Sequence, residues 1–437
     1  MRRRIYRAAT PGIAAILVLA ALSGVLVSGG ESDETVRVIV TFKGAVDEKL
    51  ITGKGGPIDH SFKIIPAIAT ELTEKDIAAL EKSDKVESVE KDVKVSISKK
   101  PDSPPGKDKG KTPPQPDEEI QWGVEDIKAD DAWYTTTGSG IKVGIIDTGI
   151  DKDHLDLKDN IVDGINYVTK GKGKLKTDNW DDGDGHGTYV AGILAAVDNE
   201  IGVVGVAPDV DLYIVKALDD DGNGYVSDVV AGIDWCVAKG VQVISMSLGG
   251  DAGTTGIETA CANAYSQGVI LVAAAGNDGP RLDTEYTPGD DSVDFPARYP
   301  TVIAVGGMIN VPSFPNERLY HSSVGPSLEI MAPSKFILST WNDGSYVSQV
   351  EGPTGMIWIA GTSVACPHVA GTVALVLGTT PTEEWNSKYD TTDNDVWDPD
   401  EVRKLLQDTA DDLWSVADPP SPLYGWGRVD ALEAVVG

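Results

Sequence analysis

The feature that most constrains this chain is a set of short, almost wholly apolar runs separated by helix-like stretches. Val143-Gly144-Ile145-Ile146, Leu212-Tyr213-Ile214-Val215, Val241-Gln242-Val243-Ile244-Ser245 and Val269-Ile270-Leu271-Val272 lack the alternation of a strand with one wet face. Strands buried on both faces read this way, and their spacing among helices implies an α/β fold: a parallel sheet covered by helices on both faces. In such a sheet, functional side chains gather at the carboxyl ends of the strands.

This pattern begins only after Ile120. Residues 35–98 read instead as a small α+β unit. Val36 to Val40 has strand character, Thr73 caps a helix opened by Glu74 and Asp76, and Val86 to Ile97 returns to strand. About sixty residues make a marginal core, so this unit is expected to lean on a partner. Residues 99–118 contain six prolines and almost nothing apolar, the composition of a solvated, protease-accessible linker. At the start, Arg2, Arg3, Arg4 and Arg7 precede an uncharged run from Ala8 to Gly30. Basic residues, an apolar stretch and small residues at its end read as a secretory signal. An uncleaved membrane anchor is the alternative. The expected division is signal 1–30, small domain 31–100, linker 101–118 and large domain 119–437. Secretion is expected, with membrane association only if the first segment is retained, and the chain is expected to be a monomer.

The formal net charge is −31, and almost all of it falls after residue 118. A domain that acidic repels nucleic acid and anionic lipid, so neither is an expected partner. The three cysteines, Cys236, Cys261 and Cys366, match no zinc pattern and are too few for a disulfide framework. Cys236 and Cys261 could form one bond or remain separate buried thiols.

Three patches carry chemistry. Asp147-Thr148-Gly149 follows the first apolar run, His186-Gly187-Thr188 opens a helical stretch, and Gly361-Thr362-Ser363 opens another. A serine hydroxyl needs a base, and that base needs a carboxylate to fix its tautomer and balance its positive charge. Singly, each residue is as readily a cap or a turn residue. Together they supply a nucleophile (Ser363), a general base (His186) and an orienting acid (Asp147), in the order Asp, His, Ser.

The flanking residues extend the match. Val143-Gly-Ile-Ile-Asp-Thr-Gly-Ile-Asp151, His186-Gly-Thr-Tyr-Val-Ala-Gly192 and Gly361-Thr-Ser-Val-Ala-Cys-Pro-His-Val-Ala-Gly371 resemble the three signatures of the subtilisin family, over about residues 120–437. The resemblance implies a secreted serine endopeptidase. It also implies that Asn277, in Ala273-Ala-Ala-Gly-Asn277, is an oxyanion donor beside the Ser363 N–H. Tyr189 stands where many relatives have a second His. Val364 replaces a common Met, which implies oxidant resistance, and Cys366 reads as a packing residue. Lys170 to Lys176 reads as an exposed insertion.

By the same resemblance, Gly222-Asn223-Gly224 and Ser247-Leu248-Gly249 pair with an extended peptide substrate, and Ala274 borders the site. An EF-hand reading of Asp219 to Gly224 fails because Gly232 stands where the twelfth-position Glu is needed. Asp294 precedes Phe295-Pro296 and is either a carboxylate in the primary specificity pocket, favouring Lys or Arg, or a surface loop residue. Structural calcium is implied at the backbone of Val197, Ile201 and Val203 with the Asn199 side chain, Asp156 and Glu118. A second acidic group (Asp178, Asp181, Asp182, Asp184) holds another ion or is a solvated loop. Residues 35–98 resemble the family's inhibitory propeptide, which is both inhibitor and folding template, with self-cleavage at 98–100. Lys99 and Lys100 would suit an acidic pocket. The alternatives to a broad endopeptidase are an inactive binding scaffold and a narrow protease for Lys/Arg sites.

Overall fold

The structure, a computed structural model, describes residues 34–97, 115–168, 177–352, 355–380, 385, 388–389, 396–413 and 419–436. The signal reading, most of the linker, the 98–100 cleavage region and the insertion at 170–176 lie outside these residues. Among the described residues, no helix is long and apolar enough to cross a membrane.

The small N-terminal part runs β1 (Thr35–Phe42), α1 (Glu48–Thr52), β2 (His60–Ser61), β3 (Ala67–Thr73), α2 (Glu74–Leu80), β4 (Val86–Lys91) and β5 (Lys94–Ser96). Its sheet has the order β2-β3-β1-β4. Thr73 caps α2 by accepting from the Asp76 N–H, as the sequence implies. Alternation splits β1 between two environments. Val38 and Val40 face a small core with Leu72 and Leu80, whereas Ile39 joins a larger core built on the second part of the chain. The partner needed by so small a unit is therefore the rest of the molecule.

The larger part opens with β6 (Glu119–Ile120), α3 (Trp122–Asp126), α4 (Ala129–Ala132), β7 (Lys142–Asp147) and β8 (Ile161–Asn166). Then come α5 (His186–Ala195), β9 (Val203–Val204), β10 (Asp211–Lys216), β11 (Asn223–Tyr225), α6 (Val226–Lys239) and β12 (Val243–Met246). They are followed by α7 (Thr255–Ser266), β13 (Ile270–Ala274), β14 (Val302–Val311), β15 (Phe314–Arg318), β16 (Ile330–Pro333) and α8 (Thr362–Leu377). The main sheet has eight strands in the order β15-β14-β13-β12-β7-β10-β8, with β16 also paired to β14.

All its pairings are parallel except β14–β15. The sheet is thus the expected parallel one, with a single antiparallel pair added at its edge. Only Pro312 and Ser313 separate the two strands, and so short a loop can join only antiparallel neighbours.

Successive residues of the buried strands serve opposite cores. Val143, Ile145, Leu212 and Ile214 pack with α5 and α8, while Ile146, Tyr213, Val215 and Ile244 pack with α6 and α7. This is why the runs are apolar throughout. All three cysteines are free and buried, which decides between the two cysteine readings in favour of separate thiols.

Candidate active site

The sheet places Asp147 at the carboxyl end of β7, and the helices place His186 and Ser363 in the first turns of α5 and α8. His186 Nδ1 donates to Asp147 Oδ1 at 2.8 Å, and the same oxygen accepts from the Thr148 N–H at 2.7 Å. Burial opposes protonation of His186, but the Asp147 carboxylate, backed by Asp184 and Asp182, outweighs it and raises the imidazole pKa. Among the described residues, His186 Nε2 has no hydrogen-bond partner, nor does Asn277 Nδ2. His186, Asn277 and Ser363 line one cleft of about 950 Å³.

Asn277 is held by its other end, its Oδ1 accepting from the Thr362 N–H at 3.0 Å. A Cβ built on Gly361 would lie 3.2 Å from Asn277 Nδ2 and 3.5 Å from Ser363 Oγ, so the amide and the hydroxyl border the same small space. Ser247 Oγ donates to the Ser363 carbonyl at 2.9 Å, fixing the nucleophile's backbone. Cys366 is wholly buried, and burial pushes its thiol up to about 11, as suits packing. Tyr189 is buried too and donates to the Ile337 carbonyl at 2.7 Å.

Two supports escape a reading of the sequence. Asp182, grouped above with a possible ion site, is instead consumed by hydrogen bonds. One oxygen accepts from Thr148 Oγ1 and from the Asp184 and Gly185 N–H groups. The other accepts from the N–H and hydroxyl of Thr188. This carboxylate ties the end of β7 to the start of α5, and so sets Asp147 against His186. Thr148 Oγ1 adds an acceptor for the Gly187 N–H at 2.9 Å. The signal available was an Asp four residues before a helix start, which reads as a cap. Asp181 pairs with Lys152 at 2.9 Å.

The peptide-pairing expectation meets an occupant. β5 pairs antiparallel with β11 through Ser96–Asn223, Val95–Gly224 and Lys94–Tyr225. The Ile97 N–H extends this pairing by donating to the Gly222 carbonyl at 3.0 Å, and on the other side of β5 Ser96 exchanges two 3.0 Å hydrogen bonds with Gly249. Asn223, Gly249 and Asp294 line the cleft, whereas Ser247, Leu248 and Ala274 are buried behind it.

Polar contacts hold the small domain beside this strand. The Asp92 carboxylate accepts from the N–H and hydroxyl of Ser227 at the start of α6, and Glu90 accepts from the Thr255 N–H at the start of α7. Acids placed there satisfy helix N–H groups that have no internal partner. Arg37 bridges Asp92 and Ser227, and His60 Nε2 donates to Asp228 at 2.8 Å.

A model of the subtilase family matches residues 138–427. The chain belongs to that family. A model of the peptidase inhibitor I9 family matches residues 37–98, so this subtilase carries its own small α+β inhibitor propeptide. It is 35% identical to subtilisin NAT of Bacillus subtilis subsp. natto over 93% of this chain and 92% of that one. Subtilisin DY of Bacillus licheniformis is 42% identical over 72% and 98%. A thermostable alkaline protease of Halalkalibacterium halodurans is 35% identical over 86% and 84%. The chain is accordingly a subtilisin-like serine endopeptidase.

In this subtilase the six candidate calcium residues come together. Asp156 is fully buried, and burial pushes its carboxyl up to about 7. Its two oxygens accept from Asn199 Nδ2 and the Val203 N–H. Its carbonyl accepts from the Val197 N–H at 3.0 Å. Glu118 accepts from the N–H groups of Asn199 and Glu200, and Asn199 Oδ1 accepts from the Ile201 N–H. A buried carboxylate, a nearby second one and an amide oxygen on one loop are a hard-oxygen donor set, which fits calcium.

Proposed function

We propose that the enzyme hydrolyses peptide bonds through Asp147, His186 and Ser363, with Asn277 and the Ser363 N–H binding the oxyanion. The observation that carries this reading is a pair of groups without partners among the described residues, His186 Nε2 and Asn277 Nδ2, on one cleft. Nε2 would take the Ser363 proton as Oγ attacks the scissile carbonyl, and Asp147 would stabilise the imidazolium that results. Nε2 then returns the proton to the leaving amine. Water repeats the sequence on the acyl-enzyme. Asn277 Nδ2 acts only where charge develops, so it is expected to stabilise the transition state more than the bound substrate. In casein hydrolysis, Asn277→Ala should lower kcat about 100- to 1,000-fold with KM little changed. Full turnover by this variant would remove Asn277 from the mechanism, and a wild type inert on casein would remove the endopeptidase reading.

The chain's first substrate is proposed to be itself. The segment Lys94–Ile97 lines the cleft that holds Ser363, which supports cleavage within 98–100 and inhibition by the product left behind. The basic and apolar composition of residues 1–30 supports a secretory signal and an extracellular enzyme, and residues 101–118 are the proposed linker before the catalytic domain at 119–437.

We also propose structural calcium held by Asp156, Glu118, Asn199 and the carbonyls of Val197, Ile201 and Val203. The ion would supply the positive charge that a buried Asp156 carboxylate lacks. An ion at about 100 times its Kd adds about 2.7 kcal/mol. For a domain of roughly 300 residues, with an unfolding entropy of about 2.1 cal/mol/K per residue, that is worth about 4 °C in Tm. Calorimetry of the uncut Ser363→Ala chain should show that loss on chelation, and Asp156→Asn should abolish the difference. Identical melting with and without chelator would dispose of the site.

A further inference from the structure

A second carboxylate stands beside the proposed base. Asp184 lies two residues before His186, is 6% exposed and lines the same cleft. Its N–H donates to Asp182 Oδ1 at 3.0 Å, and its own Oδ1 accepts from the His186 N–H at 3.2 Å. Its other oxygen is turned toward the facing wall of the cleft, where a Cβ on Gly222 would lie 3.8 Å away. The side chain is thus tied to the backbone of the residue whose ring takes the proton.

The charges around His186 come from every element that meets there. Asp147, at the end of β7, makes the direct bond. Asp182, before α5, spends both oxygens on hydrogen bonds that join β7 to α5. On β10, the buried Lys216 ammonium donates to the Thr148 carbonyl and pairs with Asp220 at 3.0 Å, so this cation is already balanced. From α8 comes the neutral Ser363. Asp184 takes no part in the Asp147 pairing, yet its charge adds to the field that raises the imidazole pKa against burial. Low exposure weakens solvent screening, so a charge held here acts on the ring more than one on open surface. An acid in this place also serves the first N–H groups of α5, as a cap would. The two roles can be separated, because Asn caps as well as Asp but carries no charge.

We propose that Asp184 is a positioning residue for the reaction, whose fixed negative charge holds the His186 imidazolium and so keeps the enzyme idle in acid. The sign follows from the charges. An imidazolium beside a carboxylate keeps its proton to higher pH, and a protonated His186 cannot accept the Ser363 proton. Removing the charge frees the base at lower pH. The enzyme then gains activity in acid relative to its activity in alkali, a change that damage to the site does not produce. This role rests on the endopeptidase reading and adds to it a residue outside the triad.

The test uses the self-processed enzyme with succinyl-Ala-Ala-Pro-X p-nitroanilides, X being Arg, Lys, Phe or Leu. For the peptide that wild type cuts fastest, kcat/KM is followed from about pH 5 to about pH 10. In Asp184→Asn the acid limb should move to lower pH. The ratio of kcat/KM at about pH 6 to that at about pH 9 should rise about three- to tenfold. Asp184→Glu, which keeps the charge, should return the limb toward its wild-type position. Each ratio is read within one preparation, so a misfolded fraction cannot mimic the change. An unmoved limb in Asp184→Asn, or rates lowered equally at every pH, overturns the proposal and leaves Asp184 a helix cap. A limb displaced as far in Asp184→Glu as in Asp184→Asn overturns it too, since charge is then not the agent. A wild type that cuts none of these peptides, and whose Ser363 is not labelled by a sulfonyl fluoride, instead overturns the endopeptidase reading and takes this one with it.

Discussion

Ser363→Ala is expected to leave the chain at its uncut length and to lower peptide hydrolysis by about a million-fold. That scale is the one known for loss of the nucleophile in subtilisin, where the triad acts as a unit. Two readouts follow from one substitution. Wild type should shed a fragment ending within 98–100, seen by intact mass and by a new N-terminus, while the variant keeps its propeptide attached. The substitution removes one hydroxyl from a helix start and leaves the Ser247 contact intact, because that bond uses the Ser363 carbonyl. Folding should therefore survive, and circular dichroism and melting can confirm it. A folded variant that still processes itself would place the nucleophile elsewhere.

Asp147→Asn should cost about 10⁴ in kcat, because an amide cannot hold His186 in the tautomer that leaves Nε2 free to accept a proton. The carboxylate also raises the His186 pKa against its burial. His186 works as a base only when neutral, so activity is fully present above that pKa and is lost as pH falls through it. The acid limb of kcat/KM in the wild type should accordingly lie above the ordinary histidine value of about 6.5. A limb well below 6.5, or an Asp147→Asn enzyme with more than a tenth of wild-type turnover, would contradict the Asp147–His186 pairing.

Much of this was legible beforehand because it lies at the ends of elements that announce themselves. The runs at Val143, Leu212, Val243 and Ile270 are apolar on both sides because α5 and α8 cover one face and α6 and α7 the other. Once they are strands, Asp147 is at a carboxyl end by position alone. The strand Phe314–Arg318 gave no such signal, being a largely exposed edge with a proline and two charges. Asp182, Thr148 and Thr362 were illegible for another reason. Their work is done on groups brought near by folding, Asp182 on Thr148 across 34 residues and Thr362 on Asn277 across 85.

The docked strand Lys94–Ser96 has a consequence for how such a protein keeps quality. Its proposed cut requires the sheet, both catalytic helices and the docked domain to be in place together, because each holds one wall of the cleft. The cut is then an inspection that the molecule performs on itself. A chain that has folded wrongly cannot sever its own inhibitor, and it fails in the safe direction, as an inert polymer and not as a loose protease.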